Sequence, residues 1–403
     1  MVSFNLALVK QRLRKPINVY HWLVGQFFVL LNGSPADGLT IIGVTGTDGK
    51  TTTGHLIYEF LKSAGIRVAL ISTIGGKIGR KKIDTGFHVT SPDAPQLQPL
   101  LKKIKKSGFT HVILETTSHG LDQNRFVGLK FEMAVFTNLT PEHLDYHLTL
   151  TNYRKAKMKL FKDVKYAILN RDDPSYTQFR SAAGKAKIIP YSKFSPENIS
   201  PSLRGDYNLY NIAAARAVAK VYRVPDSVIN TVCKTFLGIP GRRQEIKLGQ
   251  DFRAIVDFAH TPNALTRMLK QLRHELPKGK KIILVFGCAG RRDSQKRPYM
   301  GQIAYRLADT IIVTAEDPRT ESLDDIFTQI TKKLPTNSVK IIREDSRRKA
   351  IILGARLAKT GDILVVTGKG HEKSLCLGKI ESPWSDQKEV ERAVKKQVKR
   401  AVN

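Results

Sequence analysis

Residues 40–54 read TIIGVTGTDGKTTTG. An apolar run of strand length passes through a glycine-rich turn into a stretch that opens a helix at Lys50, which is the context a phosphate-binding loop requires. Gly46 and Gly49 allow backbone N–H groups to turn toward a phosphate, and the helix N-terminus adds partial positive charge. Lys50 is placed to reach the terminal phosphates and Thr51 to ligate Mg²⁺. Val44 stands where the longer phosphate-loop pattern has glycine, so the match is to the shorter Gly-x-x-Gly-Lys-Thr form.

Working outward, short apolar runs alternate with amphipathic stretches: VALIS, a helix near 94–106, HVILE, MAVFTNL, YAILN and KIIPY. This is the rhythm of βαβ units. LGIPGRR at 237–243 sets Pro240 between two glycines and reads as a linker. A second series follows in AIVDFAH, KIILVFG, TIIVTAE, VKIIRE and DILVVTG. The expectation is an α/β protein: a short N-terminal helical segment (1–36), a central parallel-sheet ATPase domain (37–238) and a smaller Rossmann-like α/β domain (239–403).

Of the 403 residues, 41% are hydrophobic and 25% charged, a globular composition. The 67 Lys and Arg against 35 Asp and Glu leave a formal charge of +32, which favours anionic partners. The basic residues are spread along the chain without regular aromatic interleaving, so no specific nucleic-acid binding is expected. Cys233, Cys288 and Cys376 form no Cys-x-x-Cys pair, which suggests neither a disulfide framework nor a zinc site, and a reducing compartment fits. Near the N-terminus Lys10, Arg12, Arg14 and Lys15 precede the apolar run Val19 to Leu31. That run is shorter than the ~20 apolar residues needed to span a bilayer. It reads as an amphipathic helix packed on the body, or as one lying in a membrane interface through residues 17–32.

Two clusters follow buried strands, where parallel-sheet enzymes keep their ligands. HVILETTSHGLDQNR offers Glu115, Ser118 and His119; FTNLTPEHLDYH offers Asn138, His143, Asp145 and His147. With a phosphate loop they read as oxygen and nitrogen ligands for a divalent metal.

These motifs, continued by TSPDA, YRKAK, DYNLYN, GIPGR, DFAHTPNAL, FGCAGRRDSQKRP, EDPRTE, GKGHE and SDQKEV, run in an order that resembles the Mur ligases. Within that family the chain is most similar to the UDP-N-acetylmuramyl-tripeptide synthetases. The resemblance implies an ATP- and Mg²⁺-dependent ligase of peptidoglycan synthesis, cytoplasmic and monomeric, that converts a carboxylate into an acyl phosphate and joins it to an amine. It implies that Gly46, Thr47, Asp48, Gly49, Lys50, Thr51 and Thr52 hold the ATP phosphates. Thr51, Glu115 and His143 would bind metal, together with Lys157 as a carbamylated lysine. Asn208, Asn211, Arg242, Asp257 and His260 fall where the family binds adenine, ribose or phosphate. Thr90, Ser91, Thr117, Gln123 and Arg125 fall where it binds the UDP-muramoyl peptide. Arg292, Glu316, Asp317, Arg319, Gly368 and Glu372 fall in its amino-acid pocket, with Arg319 suited to the distal carboxylate of meso-diaminopimelate.

The chain also departs from the family. The N-terminal domain that binds uridine diphosphate is expected to be missing or truncated, which leaves uridine recognition open. Glu316 and Asp317 stand where diaminopimelate enzymes have Asp and Asn, so lysine remains the other candidate amine. Competing readings are a folylpolyglutamate- or cyanophycin-type ligase of the same superfamily, or an ATP-binding scaffold without activity.

Overall fold

In a computed structural model the described residues are 6–79, 81–83, 91–335 and 340–402. They divide into two compact units, residues 1–236 and 237–403.

The first unit is built on an eight-stranded sheet: β1 (Thr40–Thr45), β2 (Val68–Ser72), β3 (Gly75–Ile78), β4 (Lys81–Ile83), β5 (His111–Glu115), β6 (Phe131–Phe136), β7 (Tyr166–Asn170) and β8 (Lys187–Tyr191). Their spatial order is β4-β3-β2-β5-β1-β6-β7-β8. The six strands from β2 to β8 are parallel, and β3 and β4 add an antiparallel hairpin edge. The helices are α1 (Leu6–Leu31), α2 (Lys50–Ser63), α3 (Ala94–Lys106), α4 (Ser118–Asp122), α5 (Leu144–His147), α6 (Leu150–Met158), α7 (Tyr176–Ala182), α8 (Asp206–Val221) and α9 (Asp226–Thr235). β1, β5 and β6 are flanked by strands on both edges and carry the apolar runs IIGV, VIL and MAVF, because a central parallel strand buries both faces.

The order β5-β1-β6 puts the C-terminal ends of three strands side by side. From these ends leave the glycine turn after Thr45, the segment after Glu115 and the segment after Phe136. The site candidates on those segments are therefore neighbours by topology, although they are far apart in sequence.

In the second unit a six-stranded sheet has the order β13-β12-β11-β14-β10-β9. Its strands are β9 (Gln244–Ile246), β10 (Arg253–Asp257), β11 (Ile282–Phe286), β12 (Thr310–Val313), β13 (Ile341–Arg343) and β14 (Ile363–Thr367). All pair in parallel except β9. Alternate residues of β14 feed two cores: Ile363 and Val365 pack on one face, and Leu364 and Val366 on the other. Helices α10 (Pro262–Glu275), α11 (Arg297–Leu307), α12 (Leu323–Thr331), α13 (Arg347–Leu357) and α14 (Asp386–Val402) cover it, and a hairpin, β15 (Ser374–Leu377) with β16 (Ile380–Pro383), stands apart. The α/β expectation is borne out by both sheets. No described helix is long and apolar enough to cross a membrane.

Candidate active site

Gly46 and Gly49 hold the turn between β1 and α2 at φ 150° and 84°. A Cβ on Gly46 would meet Thr137 Oγ1 at 1.8 Å, and one on Gly49 would meet Asn211 Oδ1 at 2.3 Å. The loop thus needs glycine at both positions, for space and for conformation. The segment after β6 fixes it from outside: Thr47 N–H donates to Asn138 O at 2.8 Å. Asp48 N–H donates to Asn138 Oδ1, while Thr137 Oγ1 and Asn138 Nδ2 donate to Asp48 O. Asn138, a metal-ligand candidate from sequence, is thereby a loop-holding residue.

Two ammonium groups meet on this turn. Lys50 Nζ donates to Gly46 O at 3.0 Å and Thr47 O at 2.9 Å, and Lys157 Nζ donates to the same Gly46 O at 2.7 Å. Lys157 lies on α6, buried, with its ammonium 4.5 Å from the centre of the Tyr153 ring one turn earlier. Burial, and then the positive charge of Lys50, hold its pKa well below the ordinary lysine value; Asp48 and Glu142 pull the other way. Tyr153 is buried too, and its hydroxyl shares a 3.2 Å hydrogen bond with Thr47 Oγ1. Sequence reading passed over Tyr153, although its place four residues before Lys157 on one helix was a usable signal.

At the neighbouring strand end, Glu115 is fully buried and accepts hydrogen bonds from Thr51 Oγ1 at 3.2 Å and Thr73 Oγ1 at 2.7 Å. Magnesium, implied by the family resemblance, fits this pair: a hard cation that keeps water and phosphate oxygens needs only one or two protein oxygens. Among the described residues no group of three or more His, Cys, Asp and Glu side chains could hold an ion. His143 sits in the left-handed region at φ 56°, its ring 4.8 Å from that of His119 and 6.2 Å from that of Tyr153. His147 is buried with Nε2 2.9 Å from Ser118 Oγ.

A second polar group lies beside Glu115. Ser91 Oγ donates to Glu115 O at 3.3 Å and lies 2.9 Å from Thr117 Oγ1, which caps α4 by accepting from Gly120 N. Arg125 donates to Gln123 Oε1 and Ser91 O, and pairs with Asp93 at 2.9 Å. Four of the five substrate candidates are therefore adjacent; Thr90 lies outside the described residues. Asn211 lies under the loop, its Oδ1 accepting from Thr53 Oγ1 at 3.3 Å, with Asn208 behind it.

In the second unit, Arg242 stacks its guanidinium 4.4 Å from the Phe258 ring, which also touches His260 and His371. Asp257 accepts from the backbone of Arg243 and Ala259, and burial raises its pKa. The other cluster joins the loops after β12 and β14. Lys369, buried, binds both oxygens of Asp317 at 2.8 Å and Glu372 at 2.5 Å. Asp317 also accepts from Cys376 N, and Arg319 donates to Gly290 O at 2.9 Å. Arg292 is exposed. Glu316 is buried, which pushes its pKa up to about 8, and a Cβ on Gly368 would meet its Oε2 at 2.0 Å. Lys369 was missed in sequence, though GKGHE places it between Gly368 and Glu372.

Residues 44–200 match the Mur ligase middle domain, and residues 241–370 the Mur ligase glutamate ligase domain. A UDP-N-acetylmuramoyl-L-alanyl-D-glutamate–2,6-diaminopimelate ligase of Thermosynechococcus vestitus is 36% identical over 396 residues, covering 91% of this chain and 78% of its own. A solved structure of a ligase with that same name superposes with a TM-score of 0.60 at 33% identity, over 90% of this chain and 80% of that one. A folylpolyglutamate synthase of Mycobacterium tuberculosis solved with ADP gives a TM-score of 0.71 at 14% identity, over 90% and 96% of the two chains, a likeness of fold alone. The two matched domains and the extent of the shared sequence establish that this chain belongs to the Mur ligase family.

Proposed function

We propose that the protein is an ATP-dependent ligase that adds meso-diaminopimelate to the D-glutamyl carboxylate of a UDP-N-acetylmuramoyl dipeptide in peptidoglycan synthesis. The convergence of Lys50 and Lys157 on one carbonyl of the phosphate loop, beside the Thr51–Glu115 pair, carries this reading. Phosphoryl transfer to a carboxylate brings two anions together, so most of the catalysis is positioning and charge compensation.

The loop N–H groups from Gly46 to Thr52 cradle the phosphates, and Lys50 swings from its two carbonyls onto the terminal phosphate. Thr51 and Glu115 would hold magnesium, which would supply Lewis-acid charge compensation for the transferring phosphoryl group. Lys157 has a depressed pKa and so offers a neutral amine that takes up carbon dioxide, forming an N–C bond and releasing a proton. The resulting carbamate is an anion in the place of a cation, beside the Tyr153 ring, whose centre lies 6.2 Å from that of the His143 ring. Ser91, Thr117, Gln123 and Arg125 bind the peptide substrate. In the second unit Arg242 and His260 bind the nucleotide, while Arg292, Glu316, Asp317, Arg319, Gly368 and Glu372 bind the amino acid. Arg319 pairs with its distal carboxylate. The amine attacks the acyl phosphate, and phosphate leaves.

Incubation with ATP, Mg²⁺ and UDP-N-acetylmuramoyl-L-alanyl-D-glutamate against a panel of amino acids, read by mass, tests the assignment. Ligation of diaminopimelate is expected; ligation of lysine instead corrects the amine, and no product with any amine overturns the reading.

A further inference from the structure

Over residues 17–31, helix α1 turns most of its large apolar side chains outward. Ile17, Val19, Tyr20, Trp22, Leu23, Phe27, Leu30 and Leu31 are between 44% and 76% exposed. They are eight of the fifteen large exposed hydrophobic side chains among the described residues, so more than half of those side chains lie on this one element. The opposite stripe makes the contacts with the body. Asn18 donates to Asp122 O, Gly25 packs on Val127, and Val29 is buried against Gly128. With 3.6 residues per turn, Tyr20, Leu23, Phe27, Leu30 and Leu31 fall on the face directly away from those contacts. Residues 16–36 contain no Lys, Arg, Asp or Glu, so this face lacks the charged groups that normally solvate an exposed helix.

The charge around the face identifies what covers it. Residues 1–36 contain no acid and four cations, Lys10, Arg12, Arg14 and Lys15. On one flank α1 packs on α3, whose Lys103, Lys105 and Lys106 are exposed, and Lys105 donates to Asp37 O just beyond α1. Asn124 and Val127, which α1 touches through Asn18 and Gly25, also line a groove of about 580 Å³ that holds Lys130, Lys159 and Lys162. Asp122 pairs with Lys159 there, and Asp163 is the remaining acid of the groove. An apolar ridge with aromatic residues, with lysines on the α3 helix and in the groove next to it, matches acyl chains bordered by headgroup phosphates.

We propose that α1 lies in the interface of an anionic phospholipid bilayer, with Tyr20, Leu23, Phe27, Leu30 and Leu31 among the acyl chains and the flanking lysines of α3 and the Lys130–Lys162 groove against lipid phosphates. This attachment does not depend on the ligase assignment, and it would hold the catalytic unit at a membrane surface.

Flotation of the full chain with vesicles tests it, using phosphatidylcholine alone or mixed with phosphatidylglycerol. Binding to the mixed vesicles is expected, with little to the neutral ones, and it should weaken as salt rises. The double variant Phe27→Glu/Leu30→Glu should lower binding by at least about 100-fold. Lys130→Glu/Lys162→Glu, which leaves α1 intact, should lower it by about 30-fold or more at low salt. All four positions are exposed, so thermal melting and ATP binding should match the parent chain and separate lost attachment from lost folding. The proposal is overturned if the parent chain floats with neither vesicle, or equally with both. It is also overturned if the lipid-free chain is a dimer that Phe27→Glu/Leu30→Glu splits, since a second copy would then cover the face. Ligase activity on the soluble substrate without vesicles is read separately, so failure of the two proposals is distinguishable.

Discussion

Lys50 and Lys157 donate to the same backbone oxygen, that of Gly46, from positions more than a hundred residues apart in the chain. Burial, and then the neighbouring Lys50 ammonium, raise the cost of ionising Lys157. The pair forms a site organised for anions.

Replacing Lys157 by Met should therefore lower kcat by about 100- to 1000-fold while the chain still binds ATP. Lys157→Arg keeps the positive charge but cannot form a carbamate, and it should be as impaired. Because the folded pKa is lowered, the neutral amine persists to lower pH than for an ordinary lysine, and carbon-13 NMR with labelled bicarbonate should show a carbamate near neutral pH. An active Lys157→Arg chain with no carbamate signal would argue against this role.

Gly49 and Gly65 have nearly the same φ, 84° and 83°, but only Gly49 would drive a Cβ into a neighbour, Asn211 Oδ1. Gly65→Ala should cost about 1 kcal/mol of stability and leave ATP binding unchanged. Gly49→Ala should displace the loop and weaken ATP binding at least tenfold. Equal ATP affinity in the two variants, measured by calorimetry, would mean that the loop does not bind the phosphates.

Glu316 has a folded pKa of about 8, raised by burial above its unfolded value. Between about pH 5 and 8 the folded chain thus holds a proton that the unfolded chain has released, and the group's contribution to stability falls as pH rises. Glu316→Gln removes this term. The variant should melt close to the parent at pH 5 and above it at pH 8, by an amount equivalent to a few kcal/mol at most. A variant less stable at pH 8 than at pH 5 relative to the parent would contradict the buried, protonated carboxyl.

Arg319 donates to Gly290 O in a loop that Asp317 ties to Lys369. Arg319→Ala should raise KM for diaminopimelate by about 10- to 100-fold with little change in KM for ATP, since a charge-assisted pair to a carboxylate is lost. Steady-state kinetics varying each substrate decide it; an unchanged KM for the amino acid would remove Arg319 from the pocket.

The phosphate loop was legible because its chemistry is local: glycine, lysine and threonine at fixed offsets between a strand and a helix. The parallel strands were legible because burial on both faces leaves unbroken apolar runs. The β3–β4 and β15–β16 hairpins were not, since GGKI and SLCL are too short for an alternation to register. Asn138 and His147 read as ligands by residue type, but their side chains are occupied by Asp48 and Ser118, contacts that exist only once β1, β5 and β6 are aligned. Asn211, read by order as a nucleotide contact, lies beneath Gly49. The run Val19–Leu31 announced a helix, but which of its faces stays uncovered depends on Val127 and Gly128, which no local pattern reveals.

In the proposed reaction this site makes an acyl phosphate from the peptide carboxylate. A UDP-N-acetylmuramoyl dipeptide carrying oxygen-18 in its D-glutamyl carboxylate, turned over with ATP and diaminopimelate, tests that most directly, with the released phosphate read by mass. One labelled oxygen should pass to phosphate for each amide formed; product accompanied by unlabelled phosphate would rule out the acyl phosphate.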